Sequence, residues 1–212
     1  MVNVVELRKL NMDIWNCTTC ARFQFRSMPG YFTKDTKALF IGRNPGQLYE
    51  RKSGWSDNKY ATLNEYGLFQ IAYAKGLMEA PLGKFISKLV DGTSVQWGLT
   101  NICKCRTPDD SPLSVEEIEN CREYLTKQII LTDPQLIVTF GVQAWAWFSP
   151  TPLAQMMSED IQMRVECMHV QPSSREYIIF PMYHPASLKY SAKNTFNYAK
   201  KQFNELIRTW CV

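Results

Sequence analysis

Four short apolar runs constrain this chain more than anything else in its sequence. Lys37 to Gly42 (KALFIG), Trp97 to Ile102, Gln135 to Phe140 (QLIVTF) and Tyr177 to Met182 (YIIFPM) are each of strand length. Lys37–Gly42 and Gln135–Phe140 lack the polar alternation of a strand that faces water on one side, so these two are read as strands buried on both faces, with Trp97–Ile102 and Tyr177–Met182 as the other two strands. Helical stretches fall between them: one near residues 4 to 14, one from Ser114 to about Leu131, one begun by VQAWAWF after Gly141, and one from Ala192 to Thr209. Ser114 with Glu117 three residues on is an N-terminal capping pattern, and Ile118, Cys121, Leu125 and Ile129 recur near one helical face. Trp145 and Trp147 are expected in the core. Strands alternating with helices predict an α/β chain, a three-layer α/β/α sandwich around a central, mostly parallel four-stranded sheet. Its 212 residues are enough to bury a full core, and no linker or repeat interrupts them, so residues 1–212 are expected to form a single domain.

Ligands of such sheets bind beyond the carboxyl ends of the strands, which makes the residues following each run informative. The first run delivers Gly42-Arg43-Asn44-Pro45-Gly46, the second Asn101, and the fourth His184-Pro185-Ala186-Ser187-Leu188. Singly, each has a plain reading: an Asn before Pro is a turn residue, Asn101 caps a loop, and a lone His is structural. Placed together at the ends of separate strands, they predict one pocket.

The cysteines carry a second signal. Among seven in the chain are Cys17-Thr18-Thr19-Cys20 and, much later, Cys105 and Cys121. The opening MVNVVELRKLNMDIW has no basic stretch followed by an apolar one, and no apolar run is long enough to cross a bilayer. The chain is therefore expected in the cytoplasm, with reduced thiols. In that compartment a C-x2-C with two further cysteines points to metal before disulfide. Thiolates of this kind suit zinc or an iron–sulfur cluster, and the plainer alternative is that they are small buried hydrophobes. Cys103, Cys167 and Cys211 fall outside the pattern, with Cys103 the substitute for Cys105. The net charge of +4, from 24 basic and 20 acidic side chains, permits a polyanionic partner without requiring one. Lys189, Lys193, Lys200, Lys201 and Arg208 concentrate basic charge in the last third, which reads either as a nucleic-acid footprint or as a solvated helix face.

In combination these motifs resemble the uracil-DNA glycosylase superfamily, most closely its family 4 branch with a [4Fe-4S] cluster. The likeness rests on the C-x2-C opening, the strand ending in G-x-x-P-G, TNICKCR with Cys121 sixteen positions after Cys105, IVTFG, and YHPASL. It implies a DNA glycosylase that hydrolyses the N-glycosidic bond of a flipped-out pyrimidine, uracil or a modified one, and leaves an abasic site. It also implies that Cys17, Cys20, Cys105 and Cys121 ligate a structural cluster pinning the region that faces DNA. Where family 4 usually has an acidic residue and Ala, this chain has Arg43 and Asn44. GRNPG instead looks like the loop of the mismatch-specific and single-strand-selective branches, whose Asn orients the attacking water, the role implied for Asn44. Glu50 is the nearest carboxylate able to add basic character. By the same likeness His184 hydrogen-bonds O2 of the departing base, Leu188 is the apolar wedge, and Lys189 with Tyr190 contacts phosphate or sugar. The Asn101 carboxamide offers an acceptor to N3–H and a donor to O4 of uracil, and turned over it suits cytosine. Among Tyr60, Tyr66 and Phe69, Phe69 is preferred as the ring that stacks on the base. The implied partner is DNA, its pyrimidine flipped from a duplex or presented single-stranded, with no membrane and the protein a monomer.

Residues 54 to 80 lack the compact G-x-P-F-x-G element of family 4. That motivates an alternative, an enlarged pocket that excises a bulky 5-modified phage base as antiviral defence. The lost acidic residue motivates another, a non-catalytic DNA-binding or damage-sensing module with the same fold.

Overall fold

Each of the four apolar runs forms a strand in the computed structural model, which describes residues 4–20, 27–33, 35–45, 81–107, 111–160, 164–186 and 196–210. The strands are β1 (Ala38–Gly42), β2 (Trp97–Asn101), β3 (Leu136–Phe140), β4 (Glu166–His169) and β5 (Glu176–Met182). The helices are α1 (Val4–Trp15), α2 (Pro81–Val90), α3 (Val115–Thr132), α4 (Val142–Ala146), α5 (Leu153–Met156) and α6 (Phe196–Trp210). The sheet has the order β2-β1-β3-β5-β4. β1 runs parallel to β2 and β3, and β3 parallel to β5, so the four expected strands form the parallel body. A fifth strand extends them: β4 pairs antiparallel with β5 at the edge. Its residues, Glu-Cys-Met-His, alternate between half-buried and exposed and carry no apolar run.

Alternate side chains of the parallel strands enter two separate cores, which is why β1, β2 and β3 are buried at every position. On one face Leu39, Ile41, Ile137 and Ile179 pack with Leu7, Leu10 and Ile14 of α1, Leu125 and Ile129 of α3, and Trp145 of α4. On the other, Phe40, Val138, Phe140 and Phe180 meet Phe85, Ile86 and Leu89 of α2 and Ala199, Phe203 and Leu206 of α6. Phe40 stacks on Phe140 with centroids 5.7 Å apart. Removing a ring of this kind from a packed core typically costs about 3–5 kcal/mol. The result is the expected α/β/α sandwich.

Helix α3 starts where expected, because Ser114 Oγ accepts from the Glu117 N–H (3.2 Å) while the Glu117 carboxylate accepts from the Ser114 N–H (2.9 Å). It ends at Asp133, in the left-handed region at φ 46°, whose N–H returns to Ile129 O. The helix expected from VQAWAWF is short, and Trp147 lies half-buried just beyond it, under the Arg122 guanidinium at 5.2 Å.

The free side of β2 is closed by an irregular segment. Tyr31 exchanges two backbone hydrogen bonds with Leu99, of 2.7 and 2.8 Å, and the Met28 N–H donates to Lys104 O. Gly30 makes that approach possible: at φ +121° it adopts a backbone that side chains resist, and a Cβ there would lie 2.8 Å from Leu99 O.

Candidate active site and cysteine centre

The carboxyl edge of the sheet gathers three of the polar residues singled out from the sequence. Gly42 and Asn101 are register partners at the ends of β1 and β2. The pairing runs on past both strands, with Ile102 N–H donating to Gly42 O and Cys103 N–H to Arg43 O, each at 3.0 Å. The Asn101 side chain is 7% exposed and lies over Gly42, such that a Cβ on Gly42 would stand 2.7 Å from Asn101 Oδ1. Leu82 of α2 is the next neighbour of that Cβ position, at 3.8 Å. The carboxamide is thus held in a slot that exists because residue 42 has no side chain.

Asn44, two residues beyond β1, is half-buried and bonded at both ends of its amide. Its Oδ1 accepts from Arg43 Nε at 2.8 Å, and its Nδ2 donates to Thr107 Oγ1 at 3.0 Å. The two partners fix which way the amide faces: oxygen toward the guanidinium, nitrogen toward the hydroxyl. One lone pair of Oδ1 is left by this pairing to accept from another donor.

His184 follows β5 on the same edge of the sheet, with β3 between it and β1. Its Nδ1 accepts from the Ala186 N–H at 3.2 Å, which places the proton of the neutral ring on Nε2. The ring therefore presents a donor at Nε2. Gly141, at the end of β3, lies against its Cβ, 3.5 Å from where a side chain on residue 141 would begin.

Phe69, Leu188 and Lys189, with Glu50, Tyr60, Tyr66 and Tyr190, lie outside the described residues. So do Lys193 and Cys211. Lys200, Lys201 and Arg208 lie along α6 beside Asn197, Asn204 and Glu205.

The cysteines form a second centre. Cys17 and Cys20 follow α1, Cys121 sits in the second turn of α3, and Cys105 lies between β2 and α3; all the described cysteines are free thiols. Burial pushes the Cys105 thiol up to about 12, and negative charge on Cys121, Cys20 and Cys17 pushes the same way. Cys20 is raised by burial, against a hydrogen bond from Asn120 Nδ2 (3.5 Å), and by Cys121 and Cys17. Cys105 and Cys20 thus each feel charge on other cysteines of the set. A hydrogen bond with Cys103, opposed by burial and aided by the Lys104 N–H and ammonium, brings Cys121 down to about 6. Cys103 is raised, and its thiol donates to Glu117 O at 3.1 Å; among the cysteines it feels Cys121 alone. Cys105, and not Cys103, thus keeps company with Cys17 and Cys20. No three His, Cys, Asp or Glu among the described residues are gathered tightly enough to hold one metal ion. An all-thiolate donor set is chemistry that suits zinc or an iron–sulfur cluster.

Sequence reasoning missed two polar residues that brace this edge. Thr107, fully buried, orients Asn44. Lys104, between two cysteines, is also buried, and its ammonium donates to the backbone carbonyl of Asn101. The available signal was that both lie within a few residues of a strand end already thought to bear the pocket.

Residues 29–208 match the sequence model of the Uracil DNA glycosylase superfamily. Among curated proteins, the chain is 27% identical over 188 residues to a type-4 uracil-DNA glycosylase of Sulfurisphaera tokodaii, covering 88% of this chain and 77% of that one. It is 28% identical over 183 residues to the type-4 uracil-DNA glycosylase of Archaeoglobus fulgidus, covering 84% and 80%. With the type-4 uracil-DNA glycosylase of Saccharolobus solfataricus the identity is 24% over 181 residues, covering 84% and 75%.

Proposed function

The chain belongs to the uracil DNA glycosylase superfamily, and from that premise we propose that it is a DNA glycosylase hydrolysing the N-glycosidic bond of a flipped-out pyrimidine, uracil first. The observation that carries this reading is the Asn101 carboxamide seated over Gly42 at the mouth of the sheet. A buried amide with one donor and one acceptor complements the N3–H and O4 edge of uracil. A pocket so lined discriminates strongly, because the wrong base leaves buried polar groups unpaired.

In this reading the bond from deoxyribose C1′ to N1 breaks, and its electron pair leaves with the base. Negative charge gathers on O2, where the Nε2–H of His184 donates to it. Such a donor acts most strongly in a water-excluded site. Water adds its oxygen to C1′, and the proton it loses passes through solvent to the departing base anion, which leaves neutral. Asn44 orients that water through Oδ1, which the Arg43 and Thr107 bonds hold in one direction. An amide is a poor base, so its contribution is geometric. The role of Phe69 as stacking ring, of Leu188 as wedge and of Lys189 as a phosphate or sugar contact belongs to the same proposal.

We assign Cys17, Cys20, Cys105 and Cys121 to a [4Fe-4S] cluster; the charge that Cys105 and Cys20 each feel from other cysteines of the set supports that assignment. When bound, the cluster supplies a covalent brace between the segment after α1, the segment after β2 and helix α3, and takes no part in breaking the bond.

The test is alkali-dependent cleavage of oligonucleotides carrying one uracil, one 5-hydroxymethyluracil or one glucosylated 5-hydroxymethylcytosine, single-stranded and paired. Cleavage at uracil supports the reading, and cleavage confined to a modified base redirects it to defence against modified DNA. Binding without cleavage of any substrate leaves a damage-sensing module in its place.

A further inference from the structure

Lys104 is 1% exposed, the one buried lysine among the described residues. Its Nζ donates to Thr100 Oγ1 at 2.9 Å, Asn101 O at 2.6 Å and Gln128 Oε1 at 2.7 Å, so its three protons meet three neutral acceptors. Taking an ammonium out of water costs several kcal/mol, and only such complete pairing offsets it. Gln128 passes the contact on: its Nε2 donates to Pro29 O and to Asn11 Oδ1, the latter at 3.4 Å. Thr100 Oγ1 also reaches Pro29 O at 3.2 Å.

The reaction described above uses none of these groups, yet they join its parts. Gln128 lies two helical turns after Cys121 on the same side of α3, and Asn11 lies on α1, which leads into Cys17. Lys104 itself stands between Cys103 and Cys105. At its near end the network grips the carbonyl of Asn101, the residue that reads the base.

We propose that Lys104 is the positioning residue for Asn101, and that the Lys104–Gln128–Asn11 network makes the pose of the base-reading amide depend on the docking of α1, which leads into Cys17, and of α3, which carries Cys121. Its consequence for turnover rests on the glycosylase reading; its structural content does not. The carbonyl of Asn101 is held from the protein interior while its carboxamide faces the pocket over Gly42. A shift of α1 or α3 therefore reaches the amide through Gln128 and Lys104, with no contact between either helix and the base.

The test uses the full chain with its cysteine centre intact, comparing wild type with Lys104→Met, which keeps length and volume but donates nothing. Gln128→Leu serves as the independent second variant. Hydrogen exchange of the Ile102 and Cys103 amides, which bond to Gly42 O and Arg43 O, is read against those of Val138 and Thr139 in β3. The expected result is exchange faster by roughly tenfold at Ile102 and Cys103 alone, the equivalent of one hydrogen bond's net worth. Acceleration spread equally into β3, or none at either place, overturns the proposal. A second arm measures inhibition by free uracil beside binding to DNA with an abasic site. Weakening of uracil by roughly tenfold with abasic DNA held as before supports a positioning role, because loss of folded protein would reduce both. Equal effects on both, or on neither, count against it. If wild type is indifferent to uracil, the glycosylase reading fails, while the exchange arm still decides whether Lys104 positions Asn101.

Discussion

Asn101 Oδ1 occupies the space that any side chain on Gly42 would need, and the two residues face each other across adjacent parallel strands. A methyl group at residue 42 would lie 2.7 Å from that oxygen, well inside contact distance, and the amide is what would move. Gly42→Ala is expected to lower kcat/KM on uracil-containing DNA by about 10²-fold, the penalty of an ångström-scale misplacement. The thermal midpoint is expected to fall by only a few degrees. Steady-state kinetics beside a melting curve checks this, and full activity would mean that Asn101 does not read the base from this slot.

His184→Ala removes the Nε2 donor while leaving the strand behind it buried. Single-turnover excision is expected to slow by about 10²–10³-fold, in line with the loss of one oxyanion-type donor. Affinity for the uncleaved substrate is expected to stay near wild type. A variant that binds poorly but cleaves at the normal rate would assign His184 to binding instead.

Thr107→Val keeps the volume of a fully buried side chain and takes away the acceptor for Asn44 Nδ2. The rate constant kcat is expected to fall roughly fivefold with KM unchanged, since one neutral hydrogen bond contributes about 1 kcal/mol. Asn44→Ala is expected to cost more. Equal rates for Thr107→Val and wild type would show that the orientation of Asn44 is set without the hydroxyl.

Cys105→Ala and Cys103→Ala separate two neighbours in sequence that differ in company. Loss of Cys105 is expected to bleach the purified protein and release iron and sulfide, because this thiol shares the field of Cys17, Cys20 and Cys121. Loss of Cys103, whose thiol donates to Glu117 O, is expected to leave colour and metal content intact. Metal analysis with the visible spectrum reads the difference, and the opposite pattern would make Cys103 the ligand.

β1 and β3 were legible because each is buried on two faces and so is written as an unbroken apolar run. β4 was not, since Glu-Cys-Met-His buries only half of itself on one edge and resembles any polar connection. Helix α2 was legible in principle: Leu82, Phe85, Ile86 and Leu89 recur at helical spacing. That Asn44, Asn101 and His184 share one edge followed from reading where the runs end. Lys104 escaped notice because a lysine between two cysteines looks like a solvated charge. What buries it is Gln128, 24 residues away, and no local pattern carries that information.

The irregular stretch around Gly30 has a further meaning for the sheet as a whole. It occupies the hydrogen-bonding groups of Leu99 that a neighbouring molecule would otherwise seek. At the opposite flank β4 is short and bears Glu166 and His169, a combination that discourages strand-to-strand zipping. Both margins are thereby blunted against edge-to-edge pairing with another sheet.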